Sequence, residues 1–215
     1  AIIDASLLHY LSLGQWEWAG HTYAQLISCA AVTGRPGWAY ECLRQFAAQW
    51  IGPNGLHANA DMQDSGMSRF RRAMYAAAGQ PPPFTMEANC AVSAGISDLL
   101  VQGWHDVVRI FPALPDHWRD VAFRDLRTEG AFQVSAVRRD GRTVWVRIRA
   151  AVTRRLRLRD PFAGGTVEVI GPPLRREGDL LIADLAAGEE IILQRSATTW
   201  HWERAAAAVR TAGVR

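Results

Sequence analysis

The sequence predicts a helical domain followed by an antiparallel β-sandwich. Apolar residues recur at helical spacing through residues 1–104, and after Gly103 the period changes to two. In the second half, Asp140-Gly141 separates two alternating runs, the strongest short hairpin signal that a sequence offers.

The first helix is predicted from Ile2, Ile3, Leu7, Leu8 and Leu11, and the second from Trp18, Leu26, Ile27 and Ala30. Gly34, Pro36 and Gly37 break the chain, with Gly34 suited to a helix C-cap. The next helix runs Trp38–Trp50, with Leu43, Phe46, Ala47 and Trp50 on one face, and Gly52-Pro53-Asn54-Gly55 ends it. Residues 55–85 read as a long connection with one short helix over Met67–Ala78. Pro81, Pro82 and Pro83 deliver an extended approach to the last helix, Thr85–Val101, which Thr85 is placed to cap. Strands are expected at Val107–Phe111, Phe132–Val137, Thr143–Arg149, Leu156–Leu158, Thr166–Ile170, Leu180–Asp184 and Glu190–Gln194. Many short strands with regular turn signals suggest the sandwich. The Ala-rich tail, 198–215, is compatible with a helix.

At 215 residues, 49% hydrophobic and 21% charged, the chain fits a globular protein with one good core or two small ones. No apolar run approaches the roughly 20 residues of a membrane span, so no membrane partner is expected. The net charge is only +3, although all 24 basic residues are Arg; codon choice in a GC-rich genome is the first reading of that preference and selection for Arg contacts the second. Arg147, Arg149, Arg155, Arg157 and Arg159 alternate with apolar residues, the pattern of a sheet with one wet face. Nucleic acid is therefore not an expected partner. Cys29, Cys42 and Cys90 are odd in number and widely spaced, which favours buried free thiols over disulfides or zinc. No phosphate loop, nucleophile elbow or Cys-x2-Cys pair occurs, and neither a cofactor nor a metal is expected.

Pro81 to Pro115 reads PPPFTMEANCAVSAGISDLLVQGWHDVVRIFPALP. This stretch resembles the end of the catalytic domain in glycoside hydrolase family 95, the α-L-fucosidase family, which carries a run like HPPFQIDGNFG, an apolar helix and then LLPALP. Phe123 to Val134 is similar to the family's GLRARGGFEV segment, and Ala31–Leu43 matches more weakly. The resemblance reaches from about Thr22 to Arg149 and is dense between Pro82 and Val134. It implies an (α/α)6 barrel followed by a β-domain. The helices here are too few to close a barrel of twelve, so the expectation is a partial barrel over 1–104, a sandwich over 105–197 and the tail. The chain would then be the C-terminal portion of a longer inverting enzyme acting on an α-linked sugar of the fucose or galactose type.

Glu87 aligns with the Asp of FQIDGNFG, and the resemblance implies that it polarises the attacking water. Inverting glycosidases hold an acid and a base ~6.5–9.5 Å apart so that a water fits between them. The general acid is not among the matched residues. The alternative is a helix-start Glu stabilised by the helix dipole by ~0.3–1 kcal/mol. Asn89 keeps the family's Asn and is placed to bond Glu87 or sugar hydroxyls, or else to satisfy backbone groups. Pro81 stands where the family has a sugar-contacting His, and Ala88, Cys90 and Ala91 replace Gly, Phe and Gly. His57, with Asn54, Asn59, Asp61 and Asp64, clusters in the long loop, where polar side chains read hydroxyls or are simply solvated. Trp16, Trp18 and His21 precede or open a helix, suited to stacking on a sugar or to core packing. A non-catalytic glycan-binding or structural module is the rival reading of the whole chain; its oligomeric state is not legible.

Overall fold

The computed structural model describes residues 2–195. Two compact units divide the chain, Ala1–Ile96 and Ser97–Arg215.

The first unit is helical: α1 (Ile2–Ser12), α2 (Gly20–Val32), α3 (Pro36–Gln49), α4 (Arg72–Ala77) and the start of α5 (Met86–Leu100). Gly34 ends α2 at φ +72°, a left-handed conformation that favours glycine. Its N–H donates to Ala31 O at 3.2 Å and that of Arg35 to Ala30 O at 2.8 Å, the paired bonds of a Schellman cap. Pro36 then opens α3, where its missing N–H is not needed. Helices α2 and α3 pack together, burying Tyr23, Leu26, Ile27 and Ala30 on one and Ala39, Cys42 and Phe46 on the other. Helix α5 comes close to α2 at Gly95, where a Cβ would lie 2.7 Å from Ile27 Cγ2.

The barrel expectation is corrected here. The chain is mixed α+β, and the helices form no (α/α)6 barrel among the described residues. In such a barrel every helix is covered on its flanks; α1 buries none of its residues, Ile2 being 84% exposed, and α4 has only 6 residues. The predicted helix over Met67–Ala78 shortens to α4 because Ser65, Ser68 and Phe70 serve the loop before it.

The second unit is rich in antiparallel sheet. A two-residue pair joins β1 (Val101–Gln102) to β2 (Arg109–Ile110). Five strands follow the order β3-β4-β5-β10-β7: Val121–Thr128, Phe132–Arg139, Arg142–Ala150, Glu190–Arg195 and Val167–Ile170. Three more follow the order β6-β9-β8: Arg154–Arg159, Leu180–Leu185 and Arg175–Glu177. The register places Val134, Ile148 and Ile191 side by side, and Ala136, Val146 and Leu193 beside them, all fully buried. Leu156, Leu158, Leu181, Ala183 and Leu185 form the buried face of the smaller sheet. Asp140 and Gly141 close the β4–β5 hairpin at φ +48° and +75°, both positive as a type I′ turn requires.

Besides the two-residue β1, two strands escape the pattern. β3 carries a bulge between Phe123 and Leu126, with Asp125 at φ +55°, and the extra residue breaks the period of two. β8 is Arg-Arg-Glu, an edge strand exposed throughout, with no apolar face to announce it. The tail expected over 198–215 lies outside the described residues.

Candidate functional site

The candidate residues gather where the long loop of the helical unit meets the start of α5. The loop is built by its own side chains. Asp61, 1% exposed, accepts from the N–H groups of Gln63 (3.1 Å) and Ser65 (2.8 Å) and from Ser65 Oγ (2.6 Å). Its backbone N–H donates to Phe70 O at 2.6 Å. Asp64 Oδ1 accepts from the N–H of Ala73 at 2.8 Å, and Asn54 Oδ1 from that of Leu56 at 3.1 Å. The Asn59 N–H donates to Pro83 O at 2.7 Å, so the extended proline run serves as an acceptor for the loop. Of the loop's polar residues, His57, Asp61 and Ser68 are buried rather than solvated.

His57 lies at the centre of this arrangement and is 1% exposed. Phe46 stacks on its ring at 5.6 Å and 11°, with Trp50 at 6.5 Å. At the Nε2 edge of the ring α2 begins with Gly20, where a Cβ would fall 2.2 Å from Nε2. Nδ1 is 2.6 Å from Thr85 Oγ1 and 3.3 Å from Thr85 O, while Nε2 has no partner among the described residues. We assign the Nδ1–H tautomer, which donates to Thr85 and leaves only a lone pair facing Gly20. A proton on Nε2 would be an unpaired buried donor, costing about 1–3 kcal/mol. Burial pushes the imidazole below the usual histidine range, against the Thr85 carbonyl and the Glu87 carboxylate; His21 adds to the lowering.

Asn89 completes the brace. Its Nδ2 donates to Thr85 O at 3.1 Å, and its Oδ1 accepts from the His57 N–H at 3.2 Å. Thr85 thus meets both His57 and Asn89. The sequence names Thr85 as a cap but carries no sign of its ring partner, because a contact over 28 residues has no local period.

Glu87 stands in the first turn of α5 with its side chain exposed, between the buried Ala88 and the exposed Met86. A carboxylate there is favoured by the helix dipole and open to solvent. Of the other candidates, His21 is the second residue of α2 and half-buried, and its Nδ1 is a buried atom without a hydrogen-bond partner among the described residues. Trp18 is 5% exposed and packed in the core: Tyr10 stacks on it at 5.3 Å and Tyr23 meets it edge-on at 5.4 Å. Trp16 is exposed. The aromatic chain continues from Tyr23 to Trp50 at 6.0 Å and so to His57, and burial pushes the Tyr23 phenol up to about 12.

The arginines of the sheets are largely neutralised. Arg147 donates to Asp125 at 2.6 Å and Arg155 to Asp184 at 2.7 Å; Arg159 pairs with Asp179 and Arg176 with Asp160. All three cysteines are free, but only Cys42 is buried, its thiol pushed up to about 12; Cys29 and Cys90 are exposed, correcting the expectation of three buried thiols. Helical spacing puts Cys29 beside the outward Gln25 and Val32 of α2, which explains its exposure. Among the described residues no three His, Cys, Asp or Glu side chains are grouped to hold a metal, and no helix is long and apolar enough to cross a membrane.

No family model and no curated protein matches the chain. One similar solved structure is a family 39 glycoside hydrolase from the gut symbiont Bacteroides cellulosilyticus WH2, at 15% identity and a TM-score of 0.29. The likeness covers 78% of this chain and 30% of that one. It is to family 39 rather than family 95, and at this level it carries no argument about activity.

Proposed function

We propose that this chain is part of an inverting glycoside hydrolase acting on an α-linked sugar of the L-fucoside or L-galactoside type, with Glu87 polarising the attacking water. The observation that carries the reading is the placement of Glu87. It is an exposed carboxylate on the first turn of a 15-residue helix whose start is held by a buried histidine and an asparagine. The run PPPFTMEAN supports the same reading through its resemblance to family 95, residue by residue and without the barrel. The general acid lies outside the matched residues, so the pair of carboxyl groups that inversion needs is completed elsewhere.

The test is turnover by the full-length protein on aryl α-glycosides, including L-fucoside and L-galactoside. Glu87→Gln is expected to lower kcat by about 10²–10⁴-fold with the fold intact, as loss of a general base does. NMR of the first product should show the inverted anomer. Undiminished turnover in the variant would make Glu87 a helix-start residue. Glycan binding without turnover would favour a binding module, which the internal bonds of Asn89 and His57 also suit.

A further inference from the structure

We infer that His57 is a positioning residue for Glu87, holding the first turn of α5 through Thr85 so that the backbone carrying the carboxylate keeps one position. The inference rests on the reading of Glu87 as the water-polarising base. Three observations carry it. The His57 ring is closely packed, with Phe46 stacked on it at 5.6 Å and the backbone of Gly20 so near its Nε2 edge that a Cβ there would fall 2.2 Å away, which restricts the swing of Nδ1 away from its partner. That nitrogen meets the hydroxyl of Thr85, two residues before Glu87, at 2.6 Å. The His57 backbone N–H and Thr85 O are bridged by the two ends of the Asn89 amide, at 3.2 and 3.1 Å, two residues after Glu87. The carboxylate is therefore flanked on both sides along the chain by residues tied to one buried histidine.

A rigid base matters because a water must be polarised along one line. A misplacement of about 1 Å costs as much as 10²-fold in rate. Histidine suits the task better than a surface residue because its ring packs as an aromatic while its nitrogen donates.

Two substitutions separate packing from the hydrogen bond. His57→Phe keeps a ring against Phe46 and Gly20 and loses the donor. His57→Asn loses the ring but keeps an N–H at the same bond distance from Cβ as Nδ1. In the full-length protein, His57→Asn should melt lower because it leaves a cavity. His57→Phe should nevertheless be the slower enzyme, with kcat reduced by about 10–10²-fold and KM changed by less than about threefold. Combining His57→Phe with Thr85→Val should be no slower than either alone, since both remove the same bond. Amide exchange over Met86–Asn89 should accelerate in His57→Phe more than in His57→Asn.

Rates that simply follow the two melting temperatures would overturn the inference and make His57 a packing residue. Unchanged exchange at the start of α5 in His57→Phe, with normal turnover by the unaltered protein, would overturn the role of His57 and leave Glu87 standing. Absence of turnover by the unaltered protein would overturn the reading of Glu87, and the catalytic role of His57 with it.

Discussion

The sheet-rich unit and the helical unit differ in where they place histidine and carboxyl groups. In the sheets, Val134, Val146, Ile148, Ile191 and Leu193 form a dry apolar face, and the charged residues stand outside it in pairs. In the helical unit, the imidazole of His57 and the carboxyl of Asp61 sit inside, with the Tyr23 phenol and the Cys42 thiol, while Ile2, Ile3 and Leu8 of α1 face outward. The first arrangement secures stability through transfer of apolar surface. The second holds a loop of irregular backbone in one shape, which a uniform apolar core cannot do because every turn needs hydrogen-bond partners.

The contrast is sharpest in what truncation should cost. Ile148→Ala removes a fully buried side chain between Val134 and Ile191, and should destabilise the sheet-rich unit by about 2–5 kcal/mol in denaturant melts. A loss below about 1 kcal/mol would show that the sheet face is not a close-packed core. Asp61→Ala leaves two loop N–H groups and a hydroxyl without their acceptor, with an expected loss of about 1–3 kcal/mol. Its loop should also become open to proteolysis between Asp61 and Arg72, whereas an unchanged digestion pattern would mean that the loop holds without its carboxylate.

The buried histidine should make the helical unit sensitive to acid. Its folded pKa lies below the ordinary value near 6.5, so the unfolded chain binds the extra proton first. The stability it contributes is present above pH ~6.5 and is lost as the pH falls toward the folded pKa, at up to about 1.4 kcal/mol per pH unit. His21 on α2 and Glu87 on α5 act on the same ring in opposite senses. His57→Phe should flatten that part of the pH profile. A slope unchanged in the variant would assign the acid sensitivity to other groups.

Much of the molecule is legible in its sequence, in proportion to how local the cause is. The hairpin at Asp140-Gly141, the end of α2 at Gly34 and the start of α3 at Pro36 each follow from a few neighbouring residues. Strand β3 is hidden because Asp125 inserts a bulge, and β8 because an all-charged edge has no periodicity. The barrel expectation fails for a different reason. It rests on a resemblance concentrated in the residues from Pro82 to Val134, and helix–helix packing depends on neighbours that this stretch does not contain. At the candidate site, Glu87 and Asn89 are visible as a motif, and His57 as a polar residue in a long loop. That His57 is a buried donor to Thr85 is not visible, because its partners Phe46, Gly20 and Thr85 come from three separate segments.

The smallest expected effect tests the outer surface of the sheets. Arg147 lies on β5 and reaches the bulge of β3, where Asp125 also binds the Ser135 hydroxyl. Partial burial works against the charge of Asp125, but bonds and charge from Arg147, with Arg124 and Ser135, outweigh it and hold the carboxyl below its usual range. The pair is partly exposed and its attraction is screened, so Arg147→Met, which keeps the stem over the sheet, should cost only about 0.2–1 kcal/mol. The difference should shrink further in 1 M salt, where the screening length is about 3 Å. A loss as large as that of Ile148→Ala would mean that the bulge depends on this charge. The division between an apolar inner face that carries stability and an ionic outer face that does not would then fail at β3.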